Sequence, residues 1–401
     1  MKYGVGIDVS KGKSTISMLS IAGEVIEEPF EINHDLNGLS ILKGKLEKFS
    51  KNDIKIVLEQ TGTYHLIILT FLLDEGYCVI AENSLKIKKY LDRSLRKAKN
   101  DRKDSLKLAE YACDNWYKLK PNAIEEEKYK ELRFLSRQYF TFNDIKVKQK
   151  NDFSNLCDLL FPGYYQLLNE NNFVLGIKIF QKYNNPKIIK NLKEKKFYKD
   201  IEKIAEKRGQ LQAGITLAIK IYQLAKETYS LCPSSNITQP IIDRSVAALI
   251  LSIETTKEII TNMNELAKSM NEYNTVRDMS GVGDRLAPLL IAEIGDIRRF
   301  KNAGSLIAYT GIDAPPYQSG KFEAVNRHIS KRGNKYLRRI GYTTMKVIKT
   351  FCKSGDELYD YMIQKENEGK SKKSAKIATL NKFLRQYYGT IRKKYIDIGI
   401  W

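Results

Sequence analysis

Cysteine is scarce in this chain and its spacing is uninformative. The five cysteines, Cys78, Cys113, Cys157, Cys232 and Cys352, form no C-x-x-C pair and are odd in number. That excludes a zinc-knuckle spacing, argues against a disulfide framework and suits a reducing compartment. The opening MKYGVGIDVSKGKS lacks the apolar stretch of a secretory signal. No apolar run is long enough to span a bilayer; residues 245–253 are among the longest. The expectation is a soluble cytoplasmic protein with no membrane partner. Acidic residues are also in deficit. Against 47 Asp and Glu stand 68 Lys and Arg, a net charge of +21. Such an excess suits a polyanionic partner, DNA or RNA above all. A composition rich in Lys, Ile and Asn, typical of AT-rich coding sequence, contributes to it.

What is present is enough for two or three domains. The 401 residues are 42% hydrophobic, so sizeable cores can be buried. Residues 1–115 read as α/β. Strands are expected at 3–9, 14–20, 24–32, 54–59 and 78–81, with a helix at 64–74 and another opening at Asn100. Three early strands followed by alternating helix and strand is the order of an RNase H-like sheet. Residues 116–275 read as helical. Ile242, Val246, Leu249, Ile253, Thr256, Ile260, Met263, Ala267 and Met270 alternate four and three apart, a coiled-coil seam. Leu132, Leu135, Tyr139 and Phe142 offer an antiparallel partner. The pattern breaks at Pro162-Gly163, and residues 164–235 read as a helical insertion at the tip. An ordinary one-chain bundle and a dimerising arm both fit this pattern. Residues 276–401 are a third, mainly α unit. It opens on Met279-Ser280-Gly281-Val282-Gly283 before an apolar helix at 286–294. That resembles a helix–hairpin–helix element, in which Gly281 and Gly283 let the backbone approach a phosphate.

Four acids stand where such a sheet would gather them. Asp8 ends the first strand and Glu59 a later one. Asp101 and Asp104, three apart in a first helical turn, project from one helix face. Carboxylates in such proximity repel unless divalent cations lie between them, and hard Mg²⁺ or Mn²⁺ prefers oxygen donors. Two such ions can stabilise the attacking and leaving oxygens of a phosphodiester displacement. Taken singly, Asp8 also fits the phosphate-loop acid of an actin-like ATPase or sugar kinase, and Asp101 a helix N-terminal acid. No second glycine-rich phosphate loop accompanies Asp8, which weighs against the kinase reading.

The C-terminal unit carries Gln318-Ser319-Gly320-Lys321 and then Ile329-Ser330-Lys331-Arg332-Gly333-Asn334. By itself Ser319 in a glycine-flanked loop reads as a turn residue. Arg327, Lys331, Arg332, Lys335, Arg338 and Arg339 recur at near-helical spacing, and with Lys11, Lys103 and Lys321 they are candidates for phosphate contacts.

Taken together, G-I-D-V-S-K, E-x-T-G-x-Y at Glu59–Tyr64, N-D-R-K-D, the G-V-G helix, Q-S-G and I-S-K-R-G-N-x-x-L-R resemble transposases of the insertion-sequence 110 family. The motifs cover both ends of the chain; the helical middle matches only in character. The resemblance implies a RuvC-like domain with an Asp-Glu-Asp-Asp metal site, here Asp8, Glu59, Asp101 and Asp104. It implies a nucleophilic serine, here Ser319, and gives His328 no catalytic role. It further implies donor and target DNA joined under a structured bridge RNA, by active sites built from two domains in a dimer or tetramer, in a prokaryotic, nucleoid-associated setting. A covalent phosphoserine conserves the phosphodiester energy, so rejoining needs no external high-energy cofactor. The alternative is a hydrolytic RuvC-like nuclease, such as a junction resolvase, in which Ser319 is inert.

Overall fold

The computed structural model describes residues 1–60, 63–91, 101–121, 126–205, 208–232, 235, 237–314, 318–319, 322–323 and 328–401. The chain divides into two compact units, Met1–Ile124 and Glu125–Trp401. Each is described by itself.

The first unit is a five-stranded sheet in the order β3-β2-β1-β4-β5. Strands β1 (Tyr3–Val9), β2 (Lys13–Ser20) and β3 (Val25–Asn33) form an antiparallel meander. Strands β4 (Ile54–Glu59) and β5 (Cys78–Glu82) run parallel to β1, so each needs a crossover. Helix α1 (Leu36–Leu46) lies between β3 and β4, and α2 (His65–Asp74) between β4 and β5. Helices α3 (Ser84–Leu91) and α4 (Asp101–Asp114) follow.

Both sheet faces are covered, which is why β1 and β2 read as nearly continuous buried runs. On one face Val5, Ile7, Ile16, Ile56 and Leu58 pack with Leu39, Leu42, Ile68 and Leu72 of α1 and α2. On the other, Val57 and Ile80 meet Leu108, Tyr111 and Ala112 of α4. The strand readings hold to within a residue or so at each end. Helices α1 and α3 were not anticipated. The signal for α1 is present in Asp35, whose carboxylate caps the Gly38 amide at 2.7 Å, and in the Leu39, Leu42, Leu46 stripe.

The second unit is mostly helical and holds two cores. Helix α5 (Glu127–Leu160) and helix α10 (Gln239–Ala267) contribute to both. Tyr129, Leu132 and Phe140 of α5 share one core with Ile259, Met263 and Ala267 of α10. Phe153, Cys157 and Leu160 share the other with Ile242, Val246 and Leu249. The two helices therefore run antiparallel, and the seam of α10 is buried against α5 of the same chain. Between the cores the seam turns polar, with Lys146 Nζ 3.1 Å from Thr256 Oγ1. The second core is completed by α6 (Phe173–Lys182), α7 (Pro186–Lys190), α8 (Glu194–Ile204) and α9 (Arg208–Glu227). The first is completed by α11 (Tyr273–Arg277), α12 (Gly283–Ile294), α13 (Ala303–Thr310), α14 (Lys335–Phe351), α15 (Glu357–Asn367) and α16 (Lys372–Asp397). A two-residue pair, β6 (Gln318–Ser319) and β7 (Phe322–Glu323), lies between α13 and α14. Among the described residues no helix is long and apolar enough to cross a membrane.

Candidate active site

The carboxylates of the first unit are brought together by strand register. In a strand alternate residues share a face. Gly4, Gly6 and Asp8 all face α4. A Cβ on Gly6 would lie 2.1 Å from the Ser105 carbonyl oxygen and 2.2 Å from the Ala109 nitrogen, and one on Gly4 2.6 Å from the Ala109 carbonyl oxygen. The two glycines thus let α4 lie directly on β1. That is a different use of glycine from a phosphate loop. Gly4 meets Ala109 and Ala112, whereas Gly6 meets Ser105 and Leu108. Helix α4 therefore runs antiparallel to β1, and its first turn, with Asp101 and Asp104, lies toward Asp8.

Glu59 joins from the neighbouring strand. The β1–β4 register ends at Ile7↔Leu58, so one step further Asp8 stands beside Glu59. Glu59 in turn pairs with Glu82 of β5, and Asp8 pairs with Thr15, which pairs with Glu31. A row of Glu31, Thr15, Asp8, Glu59 and Glu82 crosses the sheet on the α4 face. Glu82 was missed in the sequence, because its place depends on β5 pairing in register with β4. Its Oε2 accepts from the Tyr111 hydroxyl of α4 at 2.8 Å and from Lys86 Nζ at 2.5 Å. Burial pushes the Tyr111 phenol above its ordinary value.

Asp101 is exposed, while Asp8, Glu59 and Asp104 are half-buried. Lys13 of β2 reports on Asp101. Its ammonium is held above the ordinary value first by a 2.6 Å bond to Glu31, and in smaller part by the Asp101 charge. The all-carboxylate donor set fits a hard divalent cation in kind. Among the described residues, no three carboxylate, imidazole or thiolate groups stand close enough to hold an ion as placed. Lys11, in the loop after β1, and Lys103, in the first turn of α4, are both exposed beside this face.

In the second unit Ser319 pairs with Phe322 across the β6–β7 ladder. Lys321 and Arg327 lie outside the described residues. The arms of this loop are tied together below it. Ser330 donates from N–H to the Asp313 carbonyl at 2.8 Å and from Oγ to Asp313 Oδ1 at 2.5 Å. Lys331 N–H donates to the Gly311 carbonyl at 3.0 Å. Lys331 has φ 53, a left-handed conformation that lysine seldom adopts.

The basic stretch separates into two groups. Lys331, Arg332 and Lys335 are exposed. Arg338 donates to the Thr310 carbonyl at 2.9 Å, and burial lowers its pKa. Arg339 grips Asp144 of α5 through both terminal nitrogens, at 3.1 and 2.5 Å. These two arginines serve internal partners. Before α12, Gly281 has φ 70 and a Cβ there would lie 2.4 Å from Ile348 Cγ1, whereas Gly283, the first residue of the helix at φ 60, faces open space. Asp284 already stands in the first turn of α12 and is ion-paired with Arg277.

Comparison with known proteins accords with this arrangement. Residues 5–162 match the DEDD transposase domain of IS110 elements, and residues 273–360 match the transposase IS116/IS110/IS902 family; together they cover more than half of the chain. The chain is 20% identical over 365 residues to the 44.8 kDa protein of insertion element IS116 from Streptomyces clavuligerus, spanning 91% of this chain and 88% of the relative. It is 21% identical over 343 residues to the 43.6 kDa protein of insertion element IS110 from Streptomyces coelicolor, spanning 84% and 81%. An α/β domain with acids at its strand ends, joined in one chain to this helical domain, is thus a transposase, a DNA-processing enzyme. More narrowly, the chain belongs to the insertion-sequence 110 family. The DEDD domain implies an RNase H-like sheet and points to a divalent metal ion.

Proposed function

We propose that this transposase cleaves and rejoins DNA strands through a phosphoserine intermediate, with Ser319 as nucleophile. Asp8, Glu59, Asp101 and Asp104 hold the divalent cation, Mg²⁺ or Mn²⁺. The observation that carries the reading is the register of the first unit. It sets Asp8 beside Glu59 and turns the α4 end bearing Asp101 and Asp104 toward them.

The cation, when bound, neutralises charge on the phosphoryl oxygens and favours ionisation of an attacking hydroxyl. The rest falls to the chain. The Ser319 Oγ–P bond forms as one phosphoester P–O bond breaks, and the leaving oxygen takes up the proton that the serine lost. In the return step a strand hydroxyl attacks the phosphorus, the Oγ–P bond breaks and the serine regains its proton. Lys331, Arg332 and Lys335, exposed beside the loop, bind backbone phosphates, joined by Lys321 and Arg327. Lys11 and Lys103 do the same at the carboxylate face. Gly281 and Gly283 make the backbone turn of a helix–hairpin–helix contact, in which the open space at Gly283 is the phosphate's approach.

The nucleic acids are donor DNA, target DNA and a structured guide RNA. The working form is a homodimer that assembles to a tetramer. The exposed apolar residues Ile145 and Val147 of α5 and Leu251 of α10 are among those available for helical-arm contacts of coiled-coil type. Denaturing electrophoresis of protein mixed with element-end DNA and Mg²⁺ tests the core of the reading. A protein–DNA adduct lost in Ser319→Ala is expected. Cleavage that survives Ser319→Ala without an adduct would instead establish the hydrolytic nuclease. Co-purifying RNA of one defined sequence is expected; random RNA removed by salt would refute guidance.

A further inference from the structure

The carboxylate of Glu293 has no part in the chemistry above, yet among the described residues of the second unit it is an acid fully buried with three donors. It lies in α12 and is 0% exposed. Its Oε1 accepts from Ser136 Oγ at 2.8 Å; its Oε2 accepts from Arg137 Nη2 at 2.8 Å and Asn334 Nδ2 at 2.7 Å. A carboxylate only accepts, and all three partners donate, so the match is complete in sense. A charge this deep is tolerated only when so paired.

Asn334 passes that constraint to the loop. With Nδ2 committed to Glu293, its Oδ1 accepts from the N–H groups of Tyr336 and Leu337 at 2.9 and 3.1 Å, the N-cap of α14. Its own N–H donates to the Tyr309 carbonyl at 2.7 Å. The Tyr309 hydroxyl returns to the Glu293 carbonyl at 3.3 Å. Gly333 permits the closeness, since a Cβ there would lie 2.3 Å from the Tyr309 carbonyl oxygen. The chain leaving α13 and the chain entering α14 are thus bound to each other from Tyr309–Asn334 up to Asp313–Ser330. In sequence Ser319 lies between these arms. On the far side Arg137 stacks on the Tyr336 ring at 3.7 Å.

We propose that Glu293 is a positioning residue for the serine loop, acting through Asn334 and Tyr309 to hold the loop's base against α5 and α14. The inference rests on Ser319 being the nucleophile. Glu293 is wholly buried and does not reach solvent. Its effect is on where the loop starts and ends.

The test turns on one atom. Asn334→Asp keeps the α14 cap, since Asp and Asn cap equally well, but turns an acceptor toward Glu293. Asn334→Ser also caps, lacks the amide that reaches Glu293, and serves if Asn334→Asp does not fold. With full-length protein, element-end DNA and Mg²⁺, either single change is expected to cut adduct yield about 100-fold, the scale of a 1 Å misplacement. It is also expected to speed amide hydrogen exchange at 309–313 and 330–337, measured without DNA. Exchange in α6–α9, which belong to the other core, is expected to stay as in wild type. Unchanged exchange and adduct in the folded single variants, or faster exchange throughout the second unit, overturns the proposal. If wild type gives no adduct, the nucleophile reading fails, and the exchange data still decide whether Glu293 holds the loop.

Discussion

Ser17 Oγ of β2 and Ser105 Oγ of α4 lie 2.6 Å apart, both buried. Ser17 is the cross-strand partner of Gly6, so this bond pins α4 beside the glycine that lets it descend onto the sheet. Toward the helix N-terminus Asp104 comes next, and Asp101 lies about one turn from Ser105. Placement of half the acidic set therefore depends on a hydroxyl pair and a missing side chain.

Gly6→Ala is expected to push α4 off β1. The new methyl meets backbone on two sides, which cannot rotate away. A loss of about 1–3 kcal/mol of stability follows from overpacking, read by urea denaturation of the full chain. Strand-cleavage activity should fall with it. A variant of unchanged midpoint would contradict the close approach.

Asp8→Ala is expected to leave the fold intact and to reduce DNA cleavage by about 100-fold or more, the scale of removing one transition-state electrostatic group. Chelation of divalent ions should abolish cleavage, and Mg²⁺ or Mn²⁺ should restore it. Circular dichroism checks the fold, and a gel assay the activity. Full cleavage in chelator would remove the metal from the mechanism.

The basic stretch is expected to divide by function. Lys331→Ala and Arg332→Ala should weaken DNA binding and each lower the salt-dependence slope by about 1, with little change in melting temperature. Arg339→Ala should leave the slope unchanged and cost about 0.2–1 kcal/mol, because its partner Asp144 is largely exposed. Filter binding across a salt series separates the two groups.

His34 contributes a shallow acid sensitivity. Burial lowers its pKa from the ordinary 6.5, and its Nε2 lies 2.8 Å from Ser14 Oγ. The folded state therefore takes up the proton less readily than the unfolded one. Stability is full above pH 6.5 and declines as pH falls from there, levelling off below the folded pKa. Melting temperatures from pH 8 to 5 should show the decline, and His34→Gln should flatten that part of the curve.

Much of this was legible in sequence because the signals are local. A strand ending in an acid is visible at Asp8 and Glu59, and two acids three apart are visible at Asp101 and Asp104. The apolar seam from Ile242 to Ala267 follows from helical period alone. Other features left no such trace. Glu82 looks like any acid at the end of a short apolar run until β5 is paired with β4. Glu293, inside the apolar run of α12, gives no hint of its three donors, two on α5 and one before α14. Arg338 and Arg339 fit a phosphate-binding stripe by spacing, yet both are held by the chain itself.

The sequence by itself determined the chemistry of the parts: carboxylates at strand ends, a serine in a glycine-flanked loop, an excess of positive charge, and elements whose periods of 2 and 3.6 set their faces. Only the tertiary structure decided which parts meet. Periodicity says which way a side chain points from its own strand or helix. What lies opposite depends on register and on how closely two backbones approach. Here that was decided by Gly4 and Gly6 under α4, and by a buried carboxylate that only donors from distant segments satisfy.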